Sequence, residues 1–131
     1  MSPNGAGIIL FNKANTHILL IKDSRSKKWS MPKGQYESYD DSYLDTAIRE
    51  TLEETGLYWG YDYLLNEIAG TYGKYVIFEG YVLSDTLRKT SCLEHFVECI
   101  EWVDLKNIHT YVTNLPTSLW LADLLLKRLN I

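Results

Sequence analysis

Apolar positions recur along this chain in two different periods. Residues 7–11 and 17–22 are short, nearly continuous apolar runs. Runs of that length read as strands. The turn-forming Asn12-Lys13-Ala14-Asn15 between them predicts a connection of hairpin length. A polar, basic loop over residues 23–28 follows, then Trp29-Ser30-Met31-Pro32-Lys33-Gly34, where Pro and Gly predict irregular backbone. The period then changes. Asp40, Asp41 and Ser42 can each cap a helix that runs to about Thr55, and Gly56 is a ready C-terminal stop. Residues 64–71, 75–83 and 98–103 read as strands, the second apolar enough to be central. Asn114-Leu115-Pro116 opens a last helix through about Leu129, with Pro116 in its first turn. Strands before, between and after two helices predict a mixed β-sheet covered on both faces, an α/β/α sandwich.

Composition narrows the picture. No repeat, low-complexity tract or linker divides the 131 residues, so residues 1–131 read as a single domain. The formal net charge is −4, where a protein built to grip nucleic acid usually has a basic surplus. An acidic chain can still bind a polyphosphate if divalent cations form the bridge. Cys92 and Cys99 lack zinc-ligand spacing and read as reduced thiols in a cytosolic setting. No secretory signal or membrane-length segment is visible, so a cytoplasmic protein without a membrane partner is expected.

On a helical wheel of residues 44–55, Leu44, Ala47, Ile48, Thr51, Leu52 and Thr55 share one face. Glu50, Glu53 and Glu54 fall roughly opposite, within an arc of about 100°. Glu50 and Glu54 are like charges at i,i+4, an arrangement that costs a few tenths of a kcal/mol. Glu53 and Glu54 also sit in the half of the helix where the dipole disfavours anions. Three glutamates on an exposed helix face are most often only a solvated surface. A hard-cation site, by contrast, requires clustered carboxylate oxygens, with positions left open for phosphate and water.

The stretch from Gly34 to Leu57 (Gly-Gln-Tyr-Glu-Ser-Tyr-Asp-Asp-Ser-Tyr-Leu-Asp-Thr-Ala-Ile-Arg-Glu-Thr-Leu-Glu-Glu-Thr-Gly-Leu) resembles the Nudix box, G-x5-E-x7-R-E-U-x-E-E-x-G-U with U a bulky apolar residue. Arg49, Glu50, Glu53, Glu54, Gly56 and Leu57 match in register. Chance agreement at these six positions is on the order of 10⁻⁶ to 10⁻⁷ per window. Three features depart from the pattern. The interval from Gly34 to Arg49 is one residue long; the mid-box Glu is absent, Asp41 or Asp40 standing there according to the direction of counting; and Thr51 replaces an apolar residue. The layout of strands and the C-terminal helix extends the resemblance over the whole chain.

The resemblance implies a hydrolase that cuts a diphosphate linkage, with Glu50, Glu53 and Glu54 holding Mg²⁺ or Mn²⁺ and the Gly34 carbonyl adding an oxygen. Arg49 then orients a carboxylate, most simply Glu53. The general base is either Glu50 or a carboxylate outside the box, among Glu94, Glu98 and Glu101, with Glu98 preferred. Lys33 is placed to meet a phosphate, as are Arg25, Lys27 and Lys28 in the preceding loop; solvation is the competing role for the loop cations. Trp29, Tyr36 and Tyr75 offer rings for a nucleobase, against a competing role in packing. His95 stands beside Glu94, and surface exposure is its simpler role; His17 and His109 carry no argument. Pro32-Lys33-Gly34 is similar to the entry to the box in dinucleoside polyphosphate hydrolases; Trp29-x-x-Pro-Lys-Gly, with Asp45-x-Ala-Ile-Arg-Glu-x-x-Glu-Glu-Thr-Gly, is similar to mRNA decapping enzymes, and inositol pyrophosphate hydrolases share the box. The acidic charge favours a small nucleotide-type substrate over an RNA 5′ end. A Nudix-fold module that binds a nucleotide without cutting it is the alternative from another class. Oligomeric state is left open.

Overall fold

The computed structural model describes residues 2–87 and 96–129. Cys92, Glu94 and His95 lie outside the described residues. The strands are β1 (Gly5–Phe11), β2 (His17–Asp23), β3 (Trp29–Ser30), β4 (Lys33–Gln35), β5 (Tyr63–Tyr72), β6 (Tyr75–Val82) and β7 (Val97–Asp104). The helices are α1 (Tyr43–Thr55) and α2 (Leu115–Leu129), and a 3₁₀ turn covers Leu105–Thr110. The sheet order is β3-β2-β1-β6-β5, with β4 also pairing β1 and β7 pairing β2. β1 and β6 are parallel and the other pairs antiparallel, so the sheet is mixed.

β1 is buried at all seven positions, as its unbroken apolar run requires. Alternate side chains feed two cores. Ala6, Ile8 and Leu10 meet Ala47 and Leu57 on the α1 side, with Leu19, Tyr63 and Phe78. Ile9 and Phe11 meet Trp120 and Leu121 on the α2 side, with Ile18, Leu20 and Ile77. A helix therefore covers each face, and the sandwich expected from the pattern is the fold observed. Among the described residues no helix is long and apolar enough to cross a membrane.

Two local expectations are corrected. Residues 29–34 are not wholly irregular: β1 and β2 pair only at Phe11↔Ile18, and the gap where they diverge is filled by β3 on β2 and β4 on β1. Only Met31 and Pro32 interrupt the pairing, and the Pro32 carbonyl still accepts from Ile8 N at 3.1 Å. The second correction concerns α1. Its buried residues are Thr46, Ala47, Glu50, Thr51, Glu54 and Thr55, while Leu44, Ile48 and Leu52 are only half-buried. Two of the three glutamates thus lie at the margin of the buried arc and do not oppose it. The cause is β4, which packs beside the helix in addition to β1. Sequence periodicity registers the sheet below a helix but not a short strand alongside it.

Candidate active site

Helix α1 starts at Ser42, whose side chain accepts from Asp45 N, and stops at Gly56 in the left-handed region (φ 76°). Those ends set the rotation of the helix, and its second half then projects Arg49, Glu50, Glu53 and Glu54 towards β4. Arg49 is the hub. Nε donates to Asp40 Oδ1 at 3.0 Å, and Nη2 to Asp40 Oδ2 at 2.9 Å and to the Gln35 carbonyl at 3.0 Å. Nη1 donates to Glu50 Oε1 at 2.9 Å and to Glu53 Oε1 at 3.1 Å. All five guanidinium N–H groups have a partner.

Asp40 is the residue that sequence reasoning left ambiguous. Its side chain is buried and also accepts from Glu37 N and Thr46 Oγ1, both at 2.9 Å, whereas Asp41 is exposed. The Arg49 guanidinium holds the Asp40 carboxyl well below the usual carboxylate range, and Asp40 in turn keeps Arg49 firmly charged. Counting forward from Gly34 finds this position. The extra residue therefore falls after Asp40, in the approach to the helix. Arg49 reaches Glu53, but its two-point pair is with Asp40, and Glu50 shares the same nitrogen as Glu53.

Glu50 and Glu54 each close on β4. Lys33 N donates to Glu54 Oε1 at 2.9 Å. Glu50 lies directly over Gly34: a Cβ there would come within 2.1 Å of the Glu50 carboxyl carbon. Gly34 is thus required because the carboxylate occupies the place of its side chain. The Gly34 carbonyl faces Gly5 on β1, where a Cβ would come within 2.3 Å of it. Lys33 Nζ sits 4.7 Å from the centre of the Tyr75 ring. Burial pulls the Lys33 ammonium below its ordinary value, against the opposing pull of Glu54. Burial, with the charges of Glu50 and Glu54, pushes the Tyr75 phenol up.

The donors are hard oxygens on one helix and one facing strand, the set that Mg²⁺ or Mn²⁺ accepts. Among the described residues, no group of three or more His, Cys, Asp or Glu side chains is arranged to hold a metal ion. Mg²⁺ does not need one, since it binds through one or two carboxylates and keeps water and phosphate oxygens as its other ligands. The residues present fit an open site of that kind.

The remaining candidates lie elsewhere. Glu98, on β7, is ion-paired with Lys27 and, at 3.3 Å, with Lys22, which hold its carboxyl below the ordinary range. Glu101 is exposed and accepts from Tyr111 Oη at 3.4 Å. Arg25 pairs with Asp23 at 3.0 Å and stacks on Phe96, and Lys28 is exposed. Trp29 packs edge-on against Tyr111 beside the α2-side core. The Tyr36 hydroxyl donates to the Asp40 carbonyl at 2.7 Å, which makes it a support of the loop. His17 is bound up with Asn12 and Thr16 in the β1–β2 turn, His109 lies in the last turn of the 3₁₀ segment, and Cys99 is a free, half-buried thiol.

Known proteins place this arrangement. The chain is 30% identical over 132 residues to the mRNA-decapping enzyme subunit 2 of Saccharomyces cerevisiae (strain YJM789), covering 88% of this chain but 13% of that protein. It is 30% identical to nucleoside diphosphate-linked moiety X motif 6 of Homo sapiens, covering 93% of this chain and 40% of that one. The chain thus spans less than half the length of either relative. In structure it is similar to a C. elegans Ap4A hydrolase binary complex, with TM-score 0.74 and 18% identity over 97% of this chain and 99% of that chain, a likeness of fold. The family model described as NUDIX domain matches residues 1–122, which takes in the carboxylate helix and the sheet on which it packs, and the chain belongs to that family.

Proposed function

We propose that this chain is a metal-dependent hydrolase of a diphosphate linkage in a nucleotide-type small molecule, such as a dinucleoside polyphosphate or a nucleoside triphosphate. The observation that carries the reading is the closure of Glu50 and Glu54 on the Lys33–Gly34 backbone, with Arg49 binding Glu50 and Glu53. Stability alone does not favour burying two like charges one turn apart. Glu50, Glu53, Glu54 and the Gly34 carbonyl would hold Mg²⁺ or Mn²⁺. Such an ion neutralises phosphate charge and lowers the pKa of a bound water. Around it, Arg49 fixes the rotamers of Glu50 and Glu53, and Lys33 draws a phosphate oxygen.

Glu50 is the better general base on position, because it belongs to the cluster; Arg49 engages one of its oxygens, and in that role it leaves the metal to Glu53, Glu54 and the Gly34 carbonyl. Glu98 serves only if substrate binding frees it from Lys22 and Lys27. Arg25, Lys28 and Trp29 are the remaining contacts proposed for substrate. The loop cations also bear on its size. Arg25 is engaged by Asp23, and Lys22 and Lys27 by Glu98, which leaves a weak positive field for a long polyanion. An RNA 5′ end is the second reading, favoured by the decapping subunit among the relatives.

A panel with Mg²⁺ and with Mn²⁺ separates these readings: capped RNA, a dinucleoside polyphosphate, nucleoside triphosphates, nucleotide sugars and inositol pyrophosphates, with products identified by mass. Turnover of the dinucleoside polyphosphate or a triphosphate supports the first reading. Turnover of capped RNA alone supports the second. Nucleotide binding without turnover means a non-catalytic module.

A further inference from the structure

Tyr75 opens β6 opposite Gly5 of β1, and Lys33 on β4 pairs Gly7 of the same strand. Both β1 positions are bare for a reason. A Cβ at Gly5 would come within 2.6 Å of the Tyr75 ring, and one at Gly7 within 2.5 Å of Lys33 Cβ. The two glycines form a floor on which the ring and the lysine meet from opposite sides, with the ammonium 4.7 Å from the ring centre. The Lys33 backbone is meanwhile fixed by its N–H to Glu54 at 2.9 Å. A cation over an aromatic face is oriented by the ring quadrupole, more strongly where water is partly excluded.

We infer that Tyr75 is a positioning residue: its ring holds the Lys33 ammonium against its face, where it receives a phosphate oxygen, and it does not serve as a platform for a nucleobase. The inference rests on the hydrolase reading above, and it changes the role that the sequence offered for this tyrosine. The ring is committed to a cation of this chain, so the affinity it controls belongs to the polyphosphate part of the substrate.

The test uses inorganic tripolyphosphate and AMP as probes, with affinity measured calorimetrically in the presence of Mg²⁺, for wild type, Tyr75→Phe and Tyr75→Leu. Tyr75→Leu is expected to weaken tripolyphosphate binding about five- to tenfold, the scale of a half-buried cation–π contact. Tyr75→Phe keeps the ring and retains the affinity. In the metal-free wild-type protein, the Lys33 ε-methylene resonances are expected upfield of the other lysines through the ring current, and to stay so in Tyr75→Phe. That measurement stands even if Tyr75→Leu fails to fold. Unshifted Lys33 resonances, or equal tripolyphosphate affinity in a folded Tyr75→Leu, would overturn the inference. So would a loss confined to AMP, which would make Tyr75 a base platform. None of these measurements needs turnover, so a silent hydrolysis panel and a failed Tyr75 test are distinguishable.

Discussion

Asp40 takes two of the five Arg49 donors, and replacing its charge leaves a half-buried guanidinium with weaker partners. Asp40→Asn is therefore expected to destabilise the fold by about 2 kcal/mol at neutral pH, the scale of hydrogen bonds to a charged group. The sign of its pH dependence follows from the depressed carboxyl. The folded value lies below the ordinary 3.8, so the stability Asp40 contributes is complete above that value and is lost as pH falls through the folded value. Urea midpoints of wild type and Asp40→Asn should differ by a constant amount from pH 7 down to about 4.5, begin to converge below about 4, and meet only below the folded value. A gap that widens on acidification would contradict this pairing. Gly34→Ala acts differently, because its Cβ takes the place of the Glu50 carboxylate. It should weaken Mn²⁺ binding about 10- to 100-fold, the cost of disturbing a ligand's support, with little change in Tm; isothermal titration and a thermal melt decide it. Glu50, Glu53 and Glu54 were legible as a cluster because fixed spacing on a helix brings them together, although which of them is buried was not. Asp40 was not, because a loop with one extra residue has no period, and only its folded path chooses between neighbouring aspartates.

Helix α1 shows what periodicity reveals of an element and what it hides. Its cap at Ser42, its stop at Gly56 and its burial of Ala47 all follow from local rules. The place of its glutamates does not, because burial there is set by β4, a strand of three residues that bears no pattern of its own. Thr51 shows a related effect. It is fully buried near the Tyr63 hydroxyl, and among the described residues neither hydroxyl has a partner in good hydrogen-bond geometry. An isosteric methyl removes the desolvation cost without opening a cavity. Thr51→Val should thus raise stability by about 1 kcal/mol, or Tm by about 3–5 °C by calorimetry. A drop in Tm would show that the hydroxyl is satisfied, for instance through a buried water.

At the scale of the whole molecule, the mixed sheet with a helix on each face followed from the order of the runs, because strands before, between and after two helices form a sheet that those helices cover. The divergence of β1 and β2, into which β3 and β4 wedge, did not, since it arises from pairing between strands distant in sequence. That wedge brings Lys33 and Gly34 against the carboxylate helix, where the proposed site lies. The most direct test of the account is Mg²⁺-dependent hydrolysis of a dinucleoside polyphosphate by wild type and Glu54→Gln. Gln keeps the acceptor for Lys33 N, so the fold should persist while the charge is lost. The account predicts turnover by wild type and a loss of about 100-fold or more in kcat for Glu54→Gln at unchanged Tm; undiminished activity in Glu54→Gln, or a wild type inactive on every diphosphate-containing compound of the panel, would contradict it.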